Sequence, residues 1–356
     1  MRPLILLALI LGCSSGAGPG SGGGPPPGLC VNTFVNPVAT QGQDPWVIRH
    51  GDAYYLVESR EGGIWVSRSD RLSQPRKNSV LVWTPPVSGW NRSNVWAPEL
   101  HFIDGKWYIY YAAGPSGTAP ATFINQRAFV LESVGADPQG TYVDRGMLYT
   151  GDDIAGQTDN KWAIDMTVAR LGGQLYAVWS GWEFNNTQTD RTPQHTYIAR
   201  MSSPTTISSS RVRISSPDAE WERGTELDLQ EGQQFLERGG QTFIIYSTRE
   251  SWLPAYKLGQ LRLTSGADPM LPASWVKSGP VFAGTANVHG VGHASFTKSP
   301  DGTEDWIVYH SKVSTTPGWD RDIRIQKFGW NADGSPSFGT PTPAGQPLAV
   351  PSGECP

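Results

Sequence analysis

Three carboxylic acids, Asp44, Asp165 and Glu231, head copies of one recurring pattern in the 356-residue sequence. Two further copies begin at Ala97 and His293. Acids brought together in this way could hold a cation or move protons. Cleavage of a glycosidic bond needs one carboxylic acid to protonate the leaving oxygen and one carboxylate to act as base or nucleophile. A third acidic group can raise the pKa of the acid by repulsion and orient it. A calcium site often draws several ligands from one loop, and no such loop is evident. The metalloprotease HExxH and the phosphate-binding GxxxxGK[ST] patterns are absent as well. Only 17% of the residues are charged, and polar strand starts would accept Ser, Asn or Gly as readily. Acids at matching places therefore point to chemistry.

The elements that must position them are strands. The copies read DPWVIRHGDAYYLVES from Asp44, APELHFIDGKWYIYYAA from Ala97, DMTVARLGGQLYAVWSG from Asp165, EGQQFLERGGQTFIIYS from Glu231 and HASFTKSPDGTEDWIVYHSK from His293. Each is a strand, a tight turn and an aromatic-rich strand. A further short strand follows each, such as IWVSRS or YIARMS. The turn tips Gly51-Asp52, Asp104-Gly105, Gly172-Gly173, Gly239-Gly240 and Asp301-Gly302 supply the positive φ that hairpin turns require. Repeats spaced by 53, 68, 66 and 62 residues (44 to 97, 165, 231 and 293) predict an all-β, five-bladed β-propeller. A β-sandwich would not repeat one register five times. In a propeller the first strand of each blade lines the axis, so the five heading positions face one another across it.

Composition narrows the partners. A formal net charge of −4 argues against a nucleic-acid backbone as partner. The 15 Trp and 12 Tyr residues suit sugar faces as well as cores. Residues 1–13 read as a signal peptide: one Arg and an apolar run too short to span a bilayer. Its end, Ile10-Leu11-Gly12-Cys13, resembles a bacterial lipobox, which would lipidate Cys13; cleavage elsewhere as an ordinary signal is the alternative. Residues 14–29, rich in Gly, Pro and Ser, form a tether. The propeller is expected over 30–356, as a monomer whose membrane contact is through the lipid anchor alone. Export permits a disulfide between Cys30 and Cys355, at the two ends of the folded region, which would join the first blade to the last. Two unpaired thiols are the alternative.

These residues resemble glycoside hydrolase family 43 over roughly Asn36 to Leu348. Asp44-Pro45-Trp46-Val47 resembles the motif of the general base, Ile164-Asp165 that of the acid's pKa modulator and Glu231-Gly232 that of the general acid, with Gln233 in place of the usual Pro. Trp96-Ala97-Pro98-Glu99 matches the motif whose Trp walls the sugar subsite. Gly290-Val291-Gly292-His293 resembles the motif whose His contributes to a central metal site, usually calcium held largely through water. The resemblance implies a five-bladed propeller, inversion at the anomeric carbon and an oligo- or polysaccharide substrate, with no organic cofactor. It is strongest toward exo-acting α-L-arabinofuranosidases; β-D-xylosidases and endo-arabinanases share the same acids. A non-catalytic sugar-binding propeller, or a structural propeller that binds protein, remains the alternative of another class.

Other residues are less determined. Arg321 is similar to an Arg that holds a sugar hydroxyl, with Arg324 as competitor. Trp162 and Trp182 flank the third motif and could line a pocket. Glu99 and His310 read as structural, His50 and His195 as loop residues, and Asp152-Asp153 as a solvated loop.

Overall fold

The computed structural model describes residues 32–117 and 122–355. The signal segment, Cys13, the tether and Cys30 lie outside them. Five antiparallel sheets follow one another along the chain, at 46–83, 93–147, 163–215, 230–283 and 289–337. Four have four strands and the third has five. Their first strands are Trp46–His50, Ser93–Ile103, Ala163–Leu171, Gln230–Arg238 and His289–Lys298. Each lies beside the first strand of the next blade, and the fifth lies beside the first. The sheets thus close into the expected five-bladed β-propeller.

The blades pack because their middle strands are apolar on both faces. In Lys106–Gly114 every residue after Lys106 is buried. Side chains alternate across a strand. Tyr108 and Tyr110 therefore join a cluster with Ala177 and Trp179 of blade 3, while Ile109, Tyr111 and Ala113 join Val57, Ile64 and Val66 of blade 1. Burying each large side chain of this kind contributes about 1.5–3 kcal/mol. Asp104-Gly105, Gly172-Gly173 and Gly239-Gly240 have positive φ at both tip residues, as the tightest hairpins demand.

The ring is closed by chain ends. Thr33–Val35 pairs with Pro347–Ala349, and the Asn36 side chain bonds both the N–H and the carbonyl of Ile325 in blade 5. Glu354 accepts from the backbone and hydroxyl of Ser73 in blade 1, at 2.9 and 2.5 Å. Cys355 is disulfide-bonded. Among the described residues the only helical turns are the short 3-10 segments Glu220–Glu222 and Pro272–Ser274, and no helix is long and apolar enough to cross a membrane.

Candidate active site

The first strands of blades 2 to 5 each carry a bulge near the start, where pairing skips from Trp96 to Glu99, Ile164 to Thr167, Glu231 to Gln234 and Gly292 to Ser295. Bulges re-aim side chains. The first bulge residues are Ala97, Asp165, Gly232 and His293, with φ of 44°, 55°, 58° and 46°; Asp44, just ahead of the blade 1 strand, has 49°. Left-handed backbone at non-glycine residues is uncommon and costly, and it clusters at functional sites. Blade 4 departs from the sequence alignment by one residue. Gly232 occupies the left-handed place, and Glu231 leaves the strand one position earlier, where blades 2 and 3 have Trp96 and Ile164.

Gly232 has a reason to be glycine. A Cβ there would lie 3.1 Å from Cγ of His293, on backbone that already disfavours a side chain. Its N–H donates to Oδ2 of Asp165 at 3.0 Å, so Asp165 fixes the backbone next to Glu231. Glu231 accepts a 2.9 Å hydrogen bond at Oε1 from the Tyr256 hydroxyl. Tyr256 in turn occupies the space that Gly292 leaves open: a Cβ on Gly292 would sit 2.2 Å from its ring. The second glycine of Gly290-Val291-Gly292-His293 is thereby tied to the placement of Glu231.

Asp44 is held from one side only. Oδ1 faces Nη1 of Arg321 at 3.1 Å, Nδ1 of His293 at 3.2 Å and Nδ1 of His310 at 3.4 Å. Oδ2 accepts no hydrogen bond from the described residues. Arg321 is itself anchored, its Nη2 donating to Oε1 of Gln43 at 2.5 Å. Arg324 donates instead to the Ser311 hydroxyl and the Thr342 carbonyl; of the two arginines, Arg321 is the one that lines the cavity with the acids.

These surroundings drive the carboxyl groups apart. Burial opposes ionisation of Asp44, but the charges of Arg321 and His293 outweigh it and hold its carboxyl well below the usual range. Burial pushes Glu231 up to about 8, with the charge of Asp165 adding to the rise. Asp165 is raised to about 6, again chiefly by burial. His293 resists the effect of burial and rises to about 9 because Asp44 and Asp165 face it. His310 falls to about 3, through burial and then Arg321. Near neutrality one carboxylate is charged, another acid keeps its proton, and both open on the same space.

That space is a cavity of about 330 Å³ containing Asp44, Asp165, Glu231, His293 and Arg321. Trp96 and Phe123 form one wall, edge to face with ring centroids 4.7 Å apart. Trp162 forms another and stacks at 4.5 Å on Trp182, which is fully buried behind it. A larger groove of about 800 Å³, lined by Gly172, Gly239, Gly240 and Arg200, holds none of the three acids.

Among the described residues, no group of three or more His, Cys, Asp or Glu is arranged to hold a metal. Calcium takes six to eight oxygen ligands. His293 offers a single imidazole, with Nδ1 turned to Asp44. That donor set does not fit a calcium ion ligated directly by the described residues.

The residues around the acids have defined partners. His310 is fully buried against Asp44 and stacks on Tyr256 at 5.4 Å, 8° from parallel. Nothing in VYHSK marks it, although its place opposite Gly292 in the hairpin follows from the register. Tyr256 and Gln43 carried no signal beyond Gln43 standing next to Asp44. Glu99 is buried, bonded to His101 at 2.9 Å and to Gln234, in keeping with a structural role. His50 and His195 lie at strand ends rather than in loops. Asp152 is paired with the guanidinium of Arg211 at 2.8 Å rather than simply solvated.

Residues 34–336 match the family described as glycosyl hydrolases family 43. The chain is 35% identical over 332 residues to an extracellular exo-α-(1→5)-L-arabinofuranosidase of Streptomyces avermitilis, covering 88% of this chain and 64% of that one. It is 34% identical to α-L-arabinofuranosidase 43 of Humicola insolens, with the same two coverages. It thus spans about two thirds, 64%, of the length of these relatives. Among solved structures it resembles an α-L-arabinofuranosidase from Lactobacillus brevis, with a TM-score of 0.79, 30% identity and coverage of 88% of this chain and 98% of that one. The repeated strands, the closed ring and the acids on its axis agree with these matches: the chain belongs to glycosyl hydrolases family 43.

Proposed function

We propose that the protein is an inverting glycosidase that releases terminal α-L-arabinofuranosyl residues from arabinan or arabinose-decorated plant polysaccharides. The observation that carries this reading is a pair of carboxyl groups on one cavity in opposed surroundings: Asp44 faces Arg321 and His293, whose charges favour its ionised form, while Glu231 is buried and accepts a hydrogen bond from the Tyr256 hydroxyl, and burial favours its protonated form. In a single displacement, Asp44 takes a proton from water at its free Oδ2. The water oxygen bonds to the anomeric carbon as the glycosidic C–O bond breaks, and Glu231 gives its proton to the departing oxygen. Asp165 maintains the protonated state of Glu231 and, through Gly232, its orientation. Arg321 keeps Asp44 charged and lies where a sugar hydroxyl can reach it, and Trp96 walls the ring. A calcium ion near His293, held through water, would add positive charge to the axis; no step depends on it.

The choice of sugar is supported by the names of the relatives, and exo action by the small walled cavity. Export is supported by the signal-like N-terminus and by the extracellular relatives. Lipidation at Cys13, a monomeric state and a Cys30–Cys355 disulfide complete the proposal. Incubation with aryl α-L-arabinofuranoside, aryl β-D-xyloside and linear arabinan tests it. Arabinose is the expected first product from arabinan, with at least tenfold preference for the arabinoside over the xyloside. Oligosaccharide products would indicate endo action, and binding without turnover a lectin.

A further inference from the structure

We propose that Trp319, Trp252 and Arg191 form the subsite for the leaving sugar, and that this subsite selects a neutral glycan over a small aglycone. The proposal rests on the glycosidase reading above. Glu231 must protonate the departing oxygen, so the leaving sugar starts beside Glu231 and extends from there to the mouth. The side chain that bonds Glu231, Tyr256, forms a cluster with Leu227 and Leu229, and Trp252 packs against that cluster. The acid and the platform at the mouth are therefore linked by direct packing within one blade.

Three blades contribute to the platform. Trp252 comes from the loop after the second strand of blade 4, Trp319 from the corresponding loop of blade 5, and Arg191 from that of blade 3. All three line the cavity that contains the acids. The two indoles lie 5.8 Å apart at 58°. Their loops are joined by a 2.9 Å hydrogen bond from the Gly318 N–H to the Trp252 carbonyl, and Lys312 Nζ donates to the Gly318 carbonyl. The Arg191 guanidinium lies 4.6 Å from the centre of the Trp252 ring. Trp252 is thus held from several sides, and Trp319 remains 51% exposed, although burying a tryptophan is favourable. An exposed indole on a braced loop at a cavity mouth offers a flat apolar face to a sugar ring.

Charge indicates the class of sugar. Arg191 is flanked by Asp190 at 3.6 Å and Glu226 at 3.8 Å. Its charge is matched on the spot, so the platform has no excess cation to attract a uronic acid. A neutral sugar fits, stacking on Trp319 and bonding the rim through its hydroxyls.

The test compares two substrates that share the transferred sugar and differ in the leaving group: (1→5)-linked α-L-arabinobiose, and α-L-arabinofuranosyl azide, whose leaving group is too small to reach Trp319. For Trp319→Ala, kcat/KM on the disaccharide is expected to fall at least tenfold, while that on the azide stays within twofold. Trp319→Phe should restore most of the loss. Inhibition by free L-arabinose, the product of the proposed reaction, should be unchanged, which would report that the site is folded. Trp252→Ala should show the same split between substrates. Equal losses on both substrates, or no loss on the disaccharide, would overturn the subsite alone. Failure of the unmodified protein to cleave either substrate would overturn the glycosidase reading and the subsite with it.

Discussion

Asp44→Asn is expected to lower kcat on every arabinoside roughly thousandfold, because general base catalysis is typically worth 10²- to 10⁴-fold. The substitution keeps the shape of the side chain and the contact of Oδ1 with Arg321, but the amide cannot take a proton from water. The loss should not depend on the leaving group, since the base acts on the nucleophile. Inhibition by L-arabinose should change only a few-fold. Added azide supplies a nucleophile with no proton to remove, and is expected to restore turnover and yield an arabinosyl azide of configuration opposite to the substrate. A merely structural role for Asp44 predicts no such rescue, so rate assays with and without azide separate the two.

Glu231→Gln should behave differently, because the acid matters in proportion to how badly the leaving group needs a proton. On arabinan, whose leaving group is an ordinary sugar alkoxide, a loss of about 10³-fold or more is expected. On a nitrophenyl arabinoside, whose leaving group departs as a stabilised anion, the loss should be near tenfold. The pH profile provides a second readout. Glu231 must carry its proton to act, and burial with the charge of Asp165 raises it to about 8. The unmodified protein should keep its kcat/KM on arabinan up to about pH 8 and lose it above. In Glu231→Gln that alkaline limb should be absent from the residual activity on the aryl substrate. Equal losses on the two substrates, with the limb intact, would assign the proton donor elsewhere.

The architecture was legible because it repeats. Five hairpins with Gly or Asp-Gly tips, each followed by an aromatic strand, specify both the blade and the number of blades. The placement of the acids on the axis followed from the same register, and so did the facing pair of Asp44 and His293, 3.2 Å apart. The one-residue offset in blade 4 was hidden because a bulge leaves no compositional mark when its first residue can be Ala, Asp, His or Gly. The structure shows why Gly is used there: His293 fills the space a side chain would need. His310 and Tyr256 were hidden for another reason. They reach the acids from the second strand of blade 5 and from a loop of blade 4, so their roles depend on packing between blades rather than on position within a repeat. Trp162 and Trp182 show the same limit: adjacent in space and parallel, yet only Trp162 faces the cavity.

The central claim is that Asp44 directs water at the anomeric carbon while Glu231 protonates the oxygen leaving from the opposite side. Its most direct test is the configuration of the sugar as it is released. Hydrolysis of an aryl α-L-arabinofuranoside followed by proton NMR from the first minutes, before mutarotation, should show the β-anomer of L-arabinofuranose appearing first. Early appearance of the α-anomer would mean a covalent intermediate and a carboxylate acting as nucleophile, and would contradict the roles given to both acids.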